Sequence, residues 1–259
     1  MNSDDSLRKE RVYAESTDPV TAFVGTASGV VRVSASENIV GEFSMEWAGE
    51  VTDVAATDDT LVIGTTEDVL IRTDDTFEPT GFGPASAVGH DGSGRPIAAG
   101  NGRLATHADG WTTLTEIDAV RAIAPGMIAA ESGIHRHDGT YVGLEDATDV
   151  STTGQPIAAT ESGLYYLANG WTRALEGAFS TVESNGAEHY AATDASVYAA
   201  SGDDEWTETD LPVEKPIVDI VHAGGVYAVT TDGTFLVNAG DGWRYRSLGV
   251  PGVTGVVVR

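Results

Sequence analysis

One short pattern returns seven times along this chain, and no other feature of the sequence constrains its fold so tightly. The copies are Phe23-Val24-Gly25-Thr26, Val62-Ile63-Gly64-Thr65, Ile97-Ala98-Ala99-Gly100, Ile128-Ala129-Ala130-Glu131, Ile157-Ala158-Ala159-Thr160, Tyr190-Ala191-Ala192-Thr193 and Tyr227-Ala228-Val229-Thr230. Their third residues lie 29 to 39 positions apart, a period that marks one supersecondary unit used repeatedly. A helical unit of that length would carry apolar residues three and four apart. These units instead alternate over a few residues and break at Gly, Asp, Asn and Ser, as antiparallel strands joined by tight turns do. A turn such as Ser28-Gly29, Asn101-Gly102, Ser132-Gly133, Ser162-Gly163 or Asp232-Gly233 follows the small-residue strand, supplying residues that tolerate positive φ.

Two further landmarks complete the unit. Phe77, Trp111, Tyr141, Trp171, Trp206 and Trp243 follow their anchors by 11 to 14 residues, with Ile39 at that place in the first copy. Four of the five tryptophans thus share one structural position, where a large apolar ring can plug the gap between neighbouring units. A strand also precedes each unit, as in Val51-Thr52-Asp53-Val54 and Ile217-Val218-Asp219-Ile220, except the first. The missing copy, Val253-Thr254-Gly255-Val256, stands at the far end of the sequence. A ring resolves both oddities: the spectrum of elements predicts an all-β, seven-bladed β-propeller of four-stranded antiparallel blades. It closes by pairing of the C-terminal strand with the N-terminal blade, which leaves no open edge between blades. Residues 1–18 read as an N-terminal tail and 19–259 as a single propeller.

The small-residue strand, Ser-Gly turn, second strand and then Asp109-Gly110-Trp111, Asn169-Gly170-Trp171 or Asp241-Gly242-Trp243 resemble degenerate Asp-box repeats. Such repeats of the bacterial-neuraminidase type occur in sortilin-like and photosystem-assembly propellers. The serine that a full Asp box places two residues before its aspartate is kept in no unit. With its acidic composition, the chain also resembles a haloarchaeal β-propeller family, a likeness that implies a fold and brings no activity with it.

Charge excludes several partners. Forty acidic residues face 14 basic ones, a net charge of −26, and only Lys9 and Lys215 are lysines. Acid spread evenly in this way suits a surface that must stay solvated in molar salt, where the Debye length falls to about 3 Å. No basic patch is available to neutralise phosphates, so nucleic acid is not an expected partner. Without cysteine, thiolate metal sites, disulfides and cysteine nucleophiles are impossible. The opening residues 1–10 lack the apolar run of a signal peptide, and no stretch approaches 18 consecutive apolar residues. The expectation is a cytoplasmic monomer away from membranes, with no cofactor and no metal.

In a propeller the innermost strands line the axis, and their third positions read Gly255, Asp53, Ala87, Arg121, Asp149, Ser180 and Asp219. Asp53, Arg121, Asp149 and Asp219 are therefore the candidate ligand-binding residues, able to meet a cation or polar ligand on the axis. Channel water and blade-to-blade hydrogen bonds would use the same groups. His90 and His222 fall near the ends of innermost strands and are candidates for the channel mouth, whereas His107, His135 and His137 lie on outer strands and read as surface histidines. Trp47, in Phe43-Ser44-Met45-Glu46-Trp47, is the one tryptophan outside the repeat and the candidate partner-binding residue. Acid pairs such as Asp58-Asp59, Asp74-Asp75 and Asp203-Asp204 read as solvated turns. No catalytic residue stands out: a sialidase would need clustered arginines and a Tyr–Glu pair at the axis, and no hydrolase, phosphate-loop or zinc motif occurs. The expected function is a non-catalytic interaction or assembly scaffold for a protein partner. The alternative is a small-ligand-binding or hydrolytic, glycosidase-like enzyme using the channel residues.

Overall fold

The computed structural model describes residues 20–36, 39–202, 205–240 and 242–259, and within them the repeat becomes seven four-stranded antiparallel sheets. The expected tail 1–18, and Asp203, Asp204 and Asp241, lie outside the described residues. Blade 1 consists of β1 (Val20–Thr26), β2 (Gly29–Ser36) and β3 (Ile39–Ala48). Blade 2 follows with β4 (Val51–Ala56), β5 (Leu61–Thr65), β6 (Val69–Thr73) and β7 (Thr76–Pro79), and blade 3 with β8 (Ala87–His90), β9 (Pro96–Gly100), β10 (Arg103–His107) and β11 (Trp111–Glu116). Blade 4 is β12 (Val120–Ala124), β13 (Met127–Ala130), β14 (Gly133–Arg136) and β15 (Tyr141–Gly143). Blade 5 is β16 (Ala147–Ser151), β17 (Ile157–Thr160), β18 (Gly163–Leu167) and β19 (Trp171–Glu176). Blade 6 is β20 (Thr181–Ser184), β21 (Glu188–Ala192), β22 (Val197–Ser201) and β23 (Thr207–Thr209). Blade 7 is β24 (Ile217–His222), β25 (Val226–Thr230), β26 (Thr234–Asn238) and β27 (Arg244–Ser247). The last strand, β28 (Val253–Val258), returns to blade 1 and pairs antiparallel with β1, matching Val24 to Val256 and Ala22 to Val258.

The repeat motif is the second strand of each blade, and its composition follows from its place. Both faces of β5, β13, β17 and β25 are covered by neighbouring blades, so every residue there is buried. Small and β-branched side chains suit such a strand, because adjacent sheets must approach to about 10 Å. At Gly25 even a methyl group would come within 2.7 Å of Thr254 Oγ1 and 2.9 Å of Val54 Cγ1.

The Thr that closes several motifs shapes the following turn. Thr26 Oγ1 donates to the Gly29 carbonyl at 2.8 Å and accepts the Ser28 and Gly29 N–H groups. Thr65 and Thr160 repeat the arrangement with Asp68 and Gly163. Each satisfied bond is worth about 1 kcal/mol, and the turn backbone would otherwise lose those partners.

Seven apolar clusters hold the ring, one in each gap between blades. The tryptophan landmarks pack where the repeat predicts: Trp111, Trp171, Trp206 and Trp243 are half-buried against the clusters facing the preceding blade, whereas Tyr141 at the same place in blade 4 is exposed. Trp111 Nε1 donates to Thr80 Oγ1 of blade 2, and Trp171 Nε1 to the Val142 carbonyl of blade 4.

Candidate functional site

The innermost strands β4, β8, β12, β16, β20, β24 and β28 surround an axial cavity of about 740 Å³, whose walls include Asp53, Arg121, Asp149, Thr181, Glu183 and Asp219. A β-bulge decides what each strand presents to it. In blades 2, 4, 5 and 7 the pairing skips one residue, between Val51 and Asp53, Val120 and Ala122, Ala147 and Asp149, and Ile217 and Asp219. A bulge turns the skipped side chain away from the regular pleat and re-aims its successor.

The skipped residue reaches towards the next blade. Thr52 Oγ1 donates to the Ala85 carbonyl at 2.8 Å and Thr148 Oγ1 to the Phe179 carbonyl at 2.7 Å. Ser86, in the corresponding place of blade 3, donates to the Val120 carbonyl at 3.1 Å. Arg121 belongs to this set: its Nη1 lies 3.4 Å from the Ala147 carbonyl and 3.3 Å from Glu161 Oε1. The sequence alignment had put Arg121 level with the aspartates, and the register corrects that. Because Ala122 pairs with Ala129 as Asp53 pairs with Gly64, Ala122 is the true counterpart of Asp53, and Ile128-Ala129-Ala130 was matched one residue out of step. Thr181 rather than Ser180 holds the same place in blade 6, opposite Ala192.

The residue after the bulge is an aspartate in three blades, and each carboxylate staples two blades together. Asp53 accepts the Val54 N–H and, from blade 3, the Val88 N–H, both at 2.8 Å. Asp149 accepts the Val150 N–H at 2.7 Å and, from blade 6, the Val182 N–H at 2.8 Å and the Thr181 hydroxyl at 2.9 Å. Asp219 accepts the Ile220 N–H at 2.8 Å and, across the closure, the Val256 N–H at 2.9 Å. Charge relief thus comes from backbone N–H groups, not from Arg121. Among the described residues no group of three or more His, Asp or Glu side chains is arranged to hold a metal ion.

One axial residue, Glu183, is not among the positions the sequence singles out. Glu183 stands two residues after Thr181, so strand alternation alone puts it on the same face; its Oε1 accepts the His222 N–H at 3.4 Å. His90 was placed at the channel mouth by sequence, yet it is 7% exposed and its Nε2 has no hydrogen-bond partner. His222 Nε2 contacts Glu188 at 2.9 Å. Of the outer histidines, His135 meets Ser132 and Gly139, while His137 Nε2 meets the Ala124 carbonyl.

Crowding of carboxyls in a poorly solvated place favours their neutral form. Desolvation, opposed by the N–H bonds and reinforced by the neighbouring aspartates, pushes Asp53 up to about 8; the same causes raise Asp219 to about 7 and Glu183 to about 8. Asp149 is also raised, chiefly by burial. Burial lowers His90 to about 4. The carboxyls therefore bind more protons when folded, and their stabilisation is lost as pH climbs through the folded values, whereas His90 weakens the fold only below its ordinary value. Between about pH 6.5 and 9 the carboxyls act alone, so stability at constant molar salt should fall as pH rises. Glu183→Gln should flatten that fall. Chemical denaturation at both ends of the window checks the sign, and a midpoint that rises with pH would contradict it.

Trp47 lies in β3, where a bulge between Val30 and Val31 turns it from the face of Met45 towards blade 2. It is half-buried there, its ring centroid 6.4 Å from that of Phe77.

A family model described as "Beta-prop_HVO_0234:-like, beta propeller" matches residues 6–259. No match is found among curated proteins. Solved structures share the architecture at very low identity. The WD40 propeller domain of Doa1 aligns with a TM-score of 0.66 at 10% identity, over 93% of this chain and 94% of that one. The computationally designed Ika8 protein gives 0.62 at 12% identity, over 93% and 91%. The extracellular domain of BT4673 from B. thetaiotaomicron gives 0.53 at 8% identity; this chain is covered over 91% but spans only 47% of that one. At such identities the likeness speaks for the fold alone.

Proposed function

We propose that this chain, which belongs to the HVO_0234-like beta-propeller family, is a non-catalytic interaction scaffold. Its partner is a protein that adds an extended segment to the free edge of β3. The observation carrying this reading is the strand itself. β3 is ten residues long and is the outermost strand of its sheet. The outermost strands of the other blades have three to six residues. A long exposed edge with apolar side chains is a liability unless something pairs with it. β3 exposes Ile39 at 64% and Met45 at 47%, with Phe43 beside them. Arg246 of β27 lies over the Phe43 ring at 4.9 Å and bonds the carbonyls of Val40 and Gly41. With Glu42 and Glu46 on the strand itself and Arg246 already engaged, the exposed Ile39, Phe43 and Met45 favour a partner segment that is apolar. Trp47 closes one end of the strand as a packed anchor.

The reading extends to a cytoplasmic monomer, a single propeller over 19–259, and blades related to Asp-box repeats. A photo-crosslinker placed at Met45 should trap one discrete host protein, and Phe43→Asp should abolish the product. Probes at Leu114 and Tyr141, exposed on β11 and β15, should trap none. Equal yields at all three sites would sink the proposal.

A second reading, small-ligand binding on the axis by Asp53, Arg121, Asp149 and Asp219, is favoured by one observation. His90, lining the same cavity, keeps an unmet Nε2. Binding suits the site better than glycoside hydrolysis, because both oxygens of each aspartate already accept N–H bonds.

A further inference from the structure

Away from the axis, the cleft between blades 1 and 2 gathers three of the chain's arginines around a cavity of about 540 Å³. Arg32 comes from β2, Arg72 from β6 and Arg259 from the residue after β28. Registers show why the cleft is open. Gly25 pairs with Val30 as Gly64 pairs with Val69, which makes Ile71 the counterpart of Arg32. Ile71 packs against the apolar cluster between blades 2 and 3, whereas Arg32 is exposed and has no hydrogen bond or ion pair among the described residues. Arg259 is fixed by backbone bonds to Thr21 in both directions, and among the described residues its guanidinium donates only to the Asp58 carbonyl.

Arg72 is half-buried, with its side chain 17% exposed. Its Nη2 bonds Glu46 Oε1 at 2.9 Å and Asp75 Oδ1 at 3.1 Å, and its Cζ lies 5.5 Å from the Phe23 ring. Its Nε is buried with no acceptor. Three arginines thus line the cavity together with two acids, Glu46 and Asp75, while the Arg259 backbone oxygen accepts the Thr21 N–H. Arginines outnumber acids in this lining, in a protein where acids outnumber bases 40 to 14.

We infer that this cleft is a binding site for a small oxyanion, a carboxylate or phosphate group held by Arg32 and Arg259 beside the Arg72–Glu46 pair. Guanidinium is the side chain suited to such groups, because its planar fork matches two oxygens at once. Contact hydrogen bonds of that kind survive molar salt, which screens long-range attraction. The site takes Glu46 from β3 but none of the exposed Ile39, Phe43 and Met45 and none of the axial residues, so its test is independent of both readings.

Calorimetry of the full chain in molar potassium chloride, with inorganic phosphate and with malonate as probes, tests the assignment. One saturable site per chain is expected for at least one probe, and whichever binds identifies the headgroup. Arg32→Ala and Arg259→Ala should each weaken it about tenfold or more without moving the thermal midpoint. Arg32→Gln keeps the stem and reads the same loss if the alanine variant fails to fold. Arg95→Ala, which breaks surface contacts with Asp91 and Ser93 away from the cleft, should leave binding unchanged. Absence of binding by both probes, or binding that persists without Arg32, would overturn the site.

Discussion

Removing residues 253–259 should abolish cooperative folding, since a single strand closes the ring. β28 supplies Val253 and Val256 to the cluster that joins blades 7 and 1. Burial of two such side chains is worth about 3–6 kcal/mol. The deletion also unpairs the inner edge of β1 and takes the Val256 N–H from Asp219, leaving a desolvated carboxyl without its partner across the closure. An orphaned buried polar group costs about 1–3 kcal/mol more. The sum rivals the roughly 5–15 kcal/mol of net stability in an ordinary domain. Near-ultraviolet circular dichroism in molar potassium chloride should show no sharp transition for the truncated chain. A circular permutant supplies the control. Val258 pairs with Ala22, so the end of β28 lies beside the start of β1, and residues 253–259 can be joined ahead of Val20 through a short linker. New termini would fall in the stretch after β27. That permutant should melt close to the parent, because closure needs the strand and not its covalent position. A truncated chain with the parent's midpoint would refute the closure argument.

Withdrawing salt should produce the other large effect. The chain carries a net charge of −26, and among the described residues only five carboxylates pair with arginine: Glu46, Asp75, Asp91, Glu161 and Glu176. The rest repel one another across a compact surface, and the repulsion lengthens from about 3 Å in molar salt to about 30 Å at 0.01 M. A loss of about 4 kcal/mol on dilution would lower the midpoint by roughly 8–16 °C for a chain of this size. Scanning calorimetry across a potassium chloride series at fixed pH measures it. Glucose or another neutral solute at matched osmolarity should not restore the midpoint, since the cause is charge. A midpoint indifferent to salt would remove the argument that the acidic surface is built for molar salt.

The blades were legible because each unit repeats its own physics. A strand covered on both faces must be small and apolar, its turn needs Gly or a hydroxyl cap, and the gap between blades takes one large ring. Those demands are local, so they recur as spacing in the chain at Gly25, Gly64, Ala99 and the later copies. Closure was legible too, as one strand too few at the start and one too many at the end. The axial aspartates could be found by that alignment, but the role of their neighbours could not. Whether Arg121 or Ala122 faces the axis depends on a bulge, which shifts the pairing by one residue without altering composition. The Arg32–Arg72–Arg259 cleft was hidden for a different reason: its residues come from separate blades. Arg32 and Arg259 are 227 positions apart in the chain and share a cavity only because the ring brings β28 back beside β1. Sequence by itself determined the unit, its count and the ring. Tertiary structure decided which polar groups meet, because a one-residue bulge and a closure between distant strands act on geometry that no local pattern records.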